Sequence, residues 1–223
     1  MRHHGRASSR QKTAFGFLAI RDRRAVRNGK IGLVRSDVEE VVERLRMCGV
    51  ALDPGLAGDE FDTVRKQFGF EFSPDHRSLL ALALPIGQSW PDWRSGDHDD
   101  LASRLARPAD GVVFDVLNNA FWPASWGRRP ADDTTAEAIT RVEMARVPTL
   151  IPIYSHRYLP AAPAPVGSPV FSVYQTDVIY YGDNLLDYVA HEFHIPPPHP
   201  TGGNRPRVRF WSDLAESVDD ADL

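Results

Sequence analysis

The first clear pattern of apolar positions begins at Ser36. Over residues 36–49 the apolar side chains lie three and four positions apart, and Ser36 and Glu39 have the spacing of a capping box. Gly49 follows the last apolar position. This pattern predicts an amphipathic helix that begins at the serine and ends at the glycine.

Further segments carry the periodicity or the terminal signals of helices. They are Asp59–Phe68 before Gly69, Ser73–Leu84 with a proline at its first turn, Asp100–Ala106, a segment with apolar Ala136, Ile139, Val142 and Ala145, and Leu185–Phe193 after Asp183 as a cap. The first two of the chain's helices, at residues 36–48 and 59–68, are expected to form a hairpin.

Residues that favour strands are concentrated in the second half of the chain. The predicted strands are Gly111–Val116, Leu150–Tyr154, Val170–Tyr174 and Val178–Tyr181, and Val208–Trp211 is an edge strand or a docking tail. Helices come first and strands cluster later, without a repeating β-α-β order. The pattern therefore predicts an α+β fold with N-terminal helices packed on an antiparallel or mixed sheet.

Charge divides the chain into a basic beginning and an acidic body. Residues 1–35 hold ten bases and one acid, and the whole chain holds 26 and 30, which leaves 16 bases and 29 acids, a balance of −13, for residues 36–223. We expect a disordered basic leader at 1–35, the folded domain at 36–195, and a Pro/Gly linker with a docking tail at 196–223. An acidic body argues against a nucleic-acid ligand for the folded part, because phosphate binding requires a basic surface.

Composition limits the compartment. Cys48 is the only cysteine, so the chain can form neither an internal disulfide nor a cysteine-based zinc cluster, and a reducing, cytoplasmic location is expected. The longest apolar runs are far shorter than the ~20 residues of a membrane span, and no secretory signal is recognisable. We therefore expect no membrane association.

Two polar loops, Pro85–Asp100 and Asn118–Pro130, contain four of the five tryptophans. The tryptophans are Trp90, Trp93, Trp122 and Trp126, and the same loops carry Asp92, Arg94 and Arg128. Tryptophan and arginine are favoured as anchors in protein interfaces. The alternative is that each indole folds back to cap the core. Both remain open for each side chain, with at least one exposed tryptophan expected.

Polar and aromatic residues also lie near the ends of predicted strands. They are His156, Arg157 and Tyr158 after one strand, and Asp177, Tyr180 and Tyr181 at another. One interpretation is a shared groove that contacts a partner, since loops at strand ends often carry function. The other is an internal Arg–Asp pair that positions the sheet.

Histidine spacing does not support a metal or a catalytic site. His191 and His194 are three residues apart before a run of prolines, with His199 beyond, whereas the metalloprotease motif places two histidines four apart. Ser155-His156 lacks the glycines of a nucleophile elbow. We predict no metal, no cofactor and no catalytic residues; a hydrolase that uses His156 or His191 is the least favoured alternative.

The order of several sequence blocks resembles the SUKH superfamily. The blocks are Phe68–Arg77 with Leu79-Leu80, Val113–Asp115 with Phe121-Trp122 and Trp126-Gly127, Pro152–Tyr158, and Pro169–Tyr174 through Tyr180–Gly182 to Glu192-Phe193. They span residues 37–193. Two departures are His76, where an aromatic residue is common, and Pro85-Ile86-Gly87, which replaces an Asn-Gly pair.

The resemblance implies an α+β fold with an antiparallel sheet and a protein-binding function. Many bacterial members are proposed immunity proteins that neutralise toxins, often nucleases, and the fungal namesake regulates the cell wall and signalling. We therefore expect a non-catalytic immunity protein whose acidic body suits a basic toxin domain. A regulatory or scaffold module with a cellular protein partner is the alternative.

Overall fold

The computed structural model describes residues 35–197 and 205–219, which lie within one compact unit. The helices are α1 Arg35–Met47, α2 Gly58–Phe68, α3 Pro74–Leu82, α4 His98–Asn118, α5 Asp133–Met144, α6 Leu185–Glu192 and α7 Trp211–Asp219. The strands are β1 Ala51–Pro54, β2 Ala83–Ile86, β3 Leu150–Tyr154, β4 Arg157–Pro160, β5 Val170–Tyr174 and β6 Asp177–Gly182. The predicted basic leader, the side chain of the capping serine and His199 lie outside the described residues.

The main sheet has four antiparallel strands in the order β3-β4-β5-β6, and β1 pairs antiparallel with β2 in a separate two-stranded sheet. The predicted strands β3, β5 and β6 are confirmed. Two-residue turns join β3 to β4 and β5 to β6, and residues 161–169 connect β4 to β5, so consecutive strands are neighbours, as in a meander. The chain is therefore α+β, as the order of its elements predicts.

Helices cover the main sheet on both faces. On one face, apolar side chains of α1 and α6 form a core with Ile153, Leu159 and Val170. On the other face, α4, α5 and α7 pack on Phe171 and Val178. The α1 helix packs mainly against α3 and α6, so the predicted hairpin of the first two helices is not the principal contact.

The predicted strand Gly111–Val116 is wrong, because this segment belongs to α4. A helix places Val112 and Val116 on one face, and both are fully buried against the sheet. The β-branched run therefore forms the buried face of a helix. The predicted short helix Asp100–Ala106 is part of the same helix, which continues to Asn118. Tertiary packing has overridden the strand preference of the valines.

Pro108 lies inside α4, where a proline removes a backbone hydrogen bond. The carbonyl oxygen left without its helical donor belongs to Arg104, four residues earlier. The Tyr158 hydroxyl of β4 donates to that oxygen at 3.5 Å. The sheet thus supplies a long, weak hydrogen bond to the freed carbonyl.

Three other boundaries differ from the predictions. The third helix ends at Leu82 instead of Leu84, because the following residues form β2. The cap of α6 is Asn184 instead of Asp183, and its side-chain oxygen accepts from the backbone of Leu186 and Asp187. Val208–Trp211 forms no edge strand; it leads into α7.

The segment from Arg205 onward docks on the sheet. Val208 and Trp211 are buried with Phe171 and Val178, and the Trp211 indole donates to the Pro148 carbonyl at 2.7 Å. The α7 helix packs along β6. In the described part of the chain, no helix has both the length and the apolar character that crossing a membrane requires.

Candidate functional site

Six side chains of β4, β5 and β6 point to the same side of the sheet and form what we call the open sheet face. Strand register pairs Arg157 with Ser172, Ser172 with Ile179, and Tyr174 with Asp177, and alternation adds Tyr181. The members are Arg157, Ser172, Tyr174, Asp177, Ile179 and Tyr181. Helices α1 and α6 cover only the far part of this side.

Exposure rises along the open sheet face toward the turn between β5 and β6. Arg157 is 9% exposed, Ile179 is 40% exposed and Tyr174 is 69% exposed. An exposed isoleucine beside an exposed tyrosine on an edge hairpin is a small apolar surface with a polar hydroxyl. Such a combination is typical of residues that become buried in a protein contact.

The β5–β6 turn is held in place by α4. The Asp115 carboxylate accepts from the backbone and the hydroxyl of Thr176, at 2.8 and 2.5 Å. Gly111 lies so close to Gln175 that an added Cβ would be 2.8 Å from its Cα atom. The turn is therefore fixed to a helix in the core, and Tyr174 is presented from a rigid support.

Arg157 is the centre of the buried end of the open sheet face. Its Nε donates to Glu192 at 2.9 Å, and its Nη1 donates to the Ser172 hydroxyl at 2.9 Å. Its guanidinium carbon lies 3.6 Å from the centroid of the Tyr181 ring. Arg157 thus ties β4 to β5, β6 and α6.

Each interpretation of the strand-end residues describes one part of this arrangement. Arg157 makes an internal ion pair, but its partner is Glu192 and not Asp177, which is exposed at the strand end. Arg157 and Asp177 lie on the same face of the sheet as Tyr181. The structure therefore combines an internal pair at the buried end with a free surface near the turn.

Tyr158 and Tyr180 lie on the opposite side of the sheet, and His156 lies in the turn between β3 and β4. Tyr158 is fully buried, and burial raises the pKa of its hydroxyl. Tyr180 is half-buried and donates to Glu216 of α7 at 3.1 Å. His156 is half-buried, and its pKa is lowered first by burial and then by the positive charge of Arg157. These three residues do not join the open sheet face.

Trp90 and Trp93 are buried, at 8% and 5% exposure. Trp90 packs on Tyr154 at a centroid distance of 4.8 Å, and Trp93 packs on Phe72 at 5.2 Å. For this loop the core-capping alternative holds. The two indoles are therefore removed from the candidate binding surface.

Trp122 and Trp126 are half-buried and stack on each other edge to face. The Trp122 indole donates to the Gly127 carbonyl at 2.7 Å, and Trp126 stacks in parallel on Phe210. Part of each ring remains accessible. This loop is a second aromatic surface, formed where the C-terminal segment meets the 118–130 loop.

Arg94 holds its own loop to the body. Its Nε lies 2.5 Å from a carboxylate oxygen of Glu60, and its Nη2 donates to the carbonyls of Pro54 and Gly55 at 3.0 Å. The Arg94 guanidinium holds the pKa of Glu60 at about 2. A side chain with this many internal partners acts as an anchor of the loop.

His156 and His191 are the histidines that the hydrolase alternative would use. Within residues 35–197 and 205–219, no three histidine, cysteine or acidic side chains are placed to hold a metal ion. His191 stacks on Tyr181 and donates to its carbonyl oxygen at 3.2 Å. The Ser155 hydroxyl lies 3.2 Å from Nδ1 of His156, which is a contact that a hydrolase would need.

A pocket of about 500 Å³ adjoins the open sheet face where β6 meets α6. Tyr180 and Tyr181 line it from the strand, and Asp183, Asp187 and His191 line it from the turn and the helix. Both strand-end tyrosines predicted from the sequence therefore line this pocket, although their side chains lie on opposite sides of the sheet. The aspartates give its wall a negative charge.

Sequence reasoning missed Tyr174, Ile179 and Glu192. The alternation in Phe171-Ser172-Val173-Tyr174 could have identified the exposed tyrosine, because buried and accessible positions alternate along a half-covered strand. Glu192 gives no comparable signal, since it is 35 residues from Arg157 in the chain.

Comparison of the chain with protein-family models, with curated proteins and with solved structures finds no match. The resemblance to the SUKH superfamily therefore stays a prediction.

Proposed function

We propose that this chain is a non-catalytic, cytoplasmic protein-binding module whose open sheet face contacts a protein partner. The observation that carries the proposal is the exposed pair Tyr174 and Ile179 on a rigidly held hairpin. Large apolar side chains at such a position lose contact with water when a partner covers them. Fixing the turn beforehand lowers the entropy lost on binding.

Charge supports a basic partner. The body from residue 36 onward carries a balance of −13, and Asp177 lies beside Tyr174 on the open sheet face. Opposite charge speeds the encounter of two proteins and is screened by salt. The association rate with the partner should therefore fall as ionic strength rises.

Within this class, a toxin-immunity protein is the role we favour. The blocks that resemble the SUKH superfamily include the strands that form the open sheet face, and an acidic surface suits a basic toxin such as a nuclease. A regulatory or scaffold module with a cellular partner uses the same face. The two roles differ in what the partner does when it is alone.

Photo-crosslinking tests the proposal. A benzoylphenylalanine placed at Tyr174 should capture one protein in the source cells, and the same group at Val142, which is 53% exposed on α5, should not. Expression of the captured protein alone should arrest growth if the chain is an immunity protein, and co-expression should restore it. Equal capture from both positions would refute the open sheet face as the contact.

A hydrolase is the second candidate, and the Ser155–His156 contact is the observation in its favour. The contact lies in the turn between β3 and β4, where Ser155 has a φ of 48°. A hydrolase also requires a carboxylate that orients the histidine. Labelling with a fluorophosphonate probe decides the matter: modification of Ser155 that is lost in His156→Gln would support hydrolysis, and no modification would remove it.

A further inference from the structure

One face of α4 follows the ends of two hairpins of the main sheet. In the first half of the helix, the carbonyl oxygen of Arg104 accepts from the Tyr158 hydroxyl of β4 at 3.5 Å. Two turns further on, Gly111 lies against Gln175, in the turn between β5 and β6. Arg107 is three residues after Arg104 and four before Gly111, so it shares their helix face. It therefore lies beside the sheet, between these two contacts.

The turn between β3 and β4, residues 155–156, adjoins this part of α4. The backbone N–H of Ser155 and Nη1 of Arg104 both donate to the carbonyl oxygen of Ser89, at 2.8 and 3.4 Å. The backbone N–H of Val173 in β5 donates to the His156 carbonyl at 3.0 Å. The β3–β4 turn is thus held between α4 and the neighbouring hairpin.

The positive charge of Arg107 acts on two side chains of this hairpin. Burial raises the pKa of Tyr158, and the charge and hydrogen bonding of Arg107 lower it. Burial is also the largest cause of the lowered pKa of His156, followed by the charge of Arg157. Glu192 raises the pKa of His156, and Arg107 lowers it. The imidazole is therefore mostly neutral at pH 7.

Arg107 is exposed and forms no ion pair within residues 35–197 and 205–219. Acidic residues on the elements around it are paired with other arginines. These pairs are Asp100 with Arg104 at 2.7 Å, Asp110 with Arg141 at 3.1 Å, and Glu192 with Arg157 at 2.9 Å. The guanidinium of Arg107 therefore keeps a positive charge that no neighbouring carboxylate offsets by direct contact.

We propose that Arg107, Ser155 and His156 form a binding site for a phosphate group. The inference goes beyond the proposed function, because it requires no protein partner at the open sheet face. A guanidinium donates two parallel hydrogen bonds to a phosphate. The Ser155 hydroxyl, 3.2 Å from Nδ1 of His156, supplies a further donor from the turn.

Donors from a helix and a turn suit a phosphate better than a carboxylate. A phosphate monoester has three acceptor oxygens and a charge near −2, so it accepts from several directions. A carboxylate has two oxygens in one plane, which the guanidinium alone already matches. The phosphate comes either from the free ion or from a phosphorylated side chain, and the two sources present the same group to the site.

The test titrates the full chain with inorganic phosphate and with N-acetyl-O-phospho-L-serine amide, at constant ionic strength. N-acetyl-L-serine amide is the probe without a phosphate. Both phosphate probes should give saturable amide chemical-shift changes at Ser155 and His156, and the serine amide should give none. Tighter binding of the phosphoserine amide would assign the site to a phosphorylated side chain, and tighter binding of inorganic phosphate to the free ion.

Arg107→Ala should weaken binding of both phosphate probes at least about tenfold, because two charge-assisted hydrogen bonds are lost. Arg107→Lys should restore only part of the affinity, since an ammonium lacks the planar fork. Arg128→Ala is the matched control, because Arg128 is also exposed and has no ion pair among the described residues. Its affinity should stay within about twofold of wild type. Shifts that do not saturate, or equal affinity of Arg107→Ala and wild type, would overturn the inference.

The pKa of His156 provides a second readout, which tests the geometry of the site directly. Saturating phosphate should raise this pKa, because an anion favours the protonated imidazole. Arg107→Ala should raise it without any probe, since one of the positive charges that lower it is removed. A pH series of imidazole proton NMR spectra measures both changes. An unchanged pKa of His156 in Arg107→Ala would show that the two side chains are not neighbours, and would also overturn the site.

Discussion

The guanidinium carbon of Arg157 lies 3.6 Å from the centroid of the Tyr181 ring. This contact, together with the ion pair to Glu192, joins β4 and β6 to α6 at the buried end of the open sheet face. It separates a structural end, where charges are paired internally, from an accessible end at Tyr174. The surface that we propose for partner binding begins where these internal pairs stop.

Arg157→Ala should lower the free energy of unfolding by about 3 kcal/mol, because it leaves Glu192 as an unpaired, mostly buried carboxylate. Adding Glu192→Gln should restore at least about 1 kcal/mol of this loss. Urea unfolding of the two single variants and the double variant measures both values. Additive losses would show that the pair does not act as a unit.

Trp93 and Trp122 should differ in their effects on stability. Trp93→Ala empties a site packed by phenylalanines and should cost about 4 kcal/mol. Trp122→Ala removes a half-exposed ring and one hydrogen bond, and should cost about 1 kcal/mol. Denaturant unfolding compares them; similar losses would contradict the assignment of Trp93 to the core.

Gly111→Ala should destabilise the fold by about 1 to 3 kcal/mol, because the new methyl group meets the backbone of Gln175. Gly58→Ala is the matched control in α2, where nothing lies within 4 Å of the added carbon. It should raise stability by about 0.5 kcal/mol. Thermal unfolding checks both signs, and a neutral Gly111→Ala would show that α4 does not fix the turn.

Asp75 and His76 are adjacent, buried, and oppositely affected by pH. Burial raises the pKa of Asp75 from 3.8 to about 6. The backbone N–H of Gly167 lowers this pKa, and the negative charge of Asp37 raises it further. Burial lowers the pKa of His76 to about 3 from 6.5. Between pH 4 and 6 the folded state thus binds more protons than the unfolded chain at Asp75, and fewer at His76.

Stability from Asp75 should therefore increase as pH falls from 6 to 4, whereas His76 should reduce it over the same interval. When the pH falls from 6 to 4, the free energy of unfolding of Asp75→Asn should decrease by about 2 kcal/mol relative to wild type. That of His76→Leu should increase by a similar amount relative to wild type. Urea unfolding at a series of pH values gives the two difference curves. Curves of the same sign would contradict the burial of one of the two groups.

Local signals in the sequence predict the fold well where packing agrees with them. The helix that ends at Gly69 is an example, because this residue adopts the left-handed conformation that the glycine signal implies. The strand predicted at residues 111–116 is wrong, because its valines favour a strand in isolation and adopt a helix only through packing against the sheet. The predicted Arg–Asp pair is wrong for a similar reason. Arg157 pairs with Glu192, which is distant in the chain, and a long-range pair leaves no local signal in the sequence.

The candidate site was only partly predictable for the same reason. The positions of Arg157, Asp177 and Tyr181 near strand ends identify them as candidates, and the strands bring them to one face. Large side chains in polar loops indicate an interface, but a loop that folds back onto the core buries its tryptophans, as at Trp90 and Trp93. Whether an indole in a loop faces outward depends on contacts with distant elements, such as Phe72 with Trp93.

The proposed function depends on contact of Tyr174 and Ile179 with the partner. Its most direct test is the dissociation constant of the crosslinked partner, purified, for Tyr174→Thr/Ile179→Thr and for the exposed control Val142→Thr, with folding of each checked by circular dichroism. We expect the affinity of the double variant to fall at least about 30-fold, as for the core of an interface, and that of the control to fall less than about twofold. Equal affinity of the folded double variant and the wild type would contradict it.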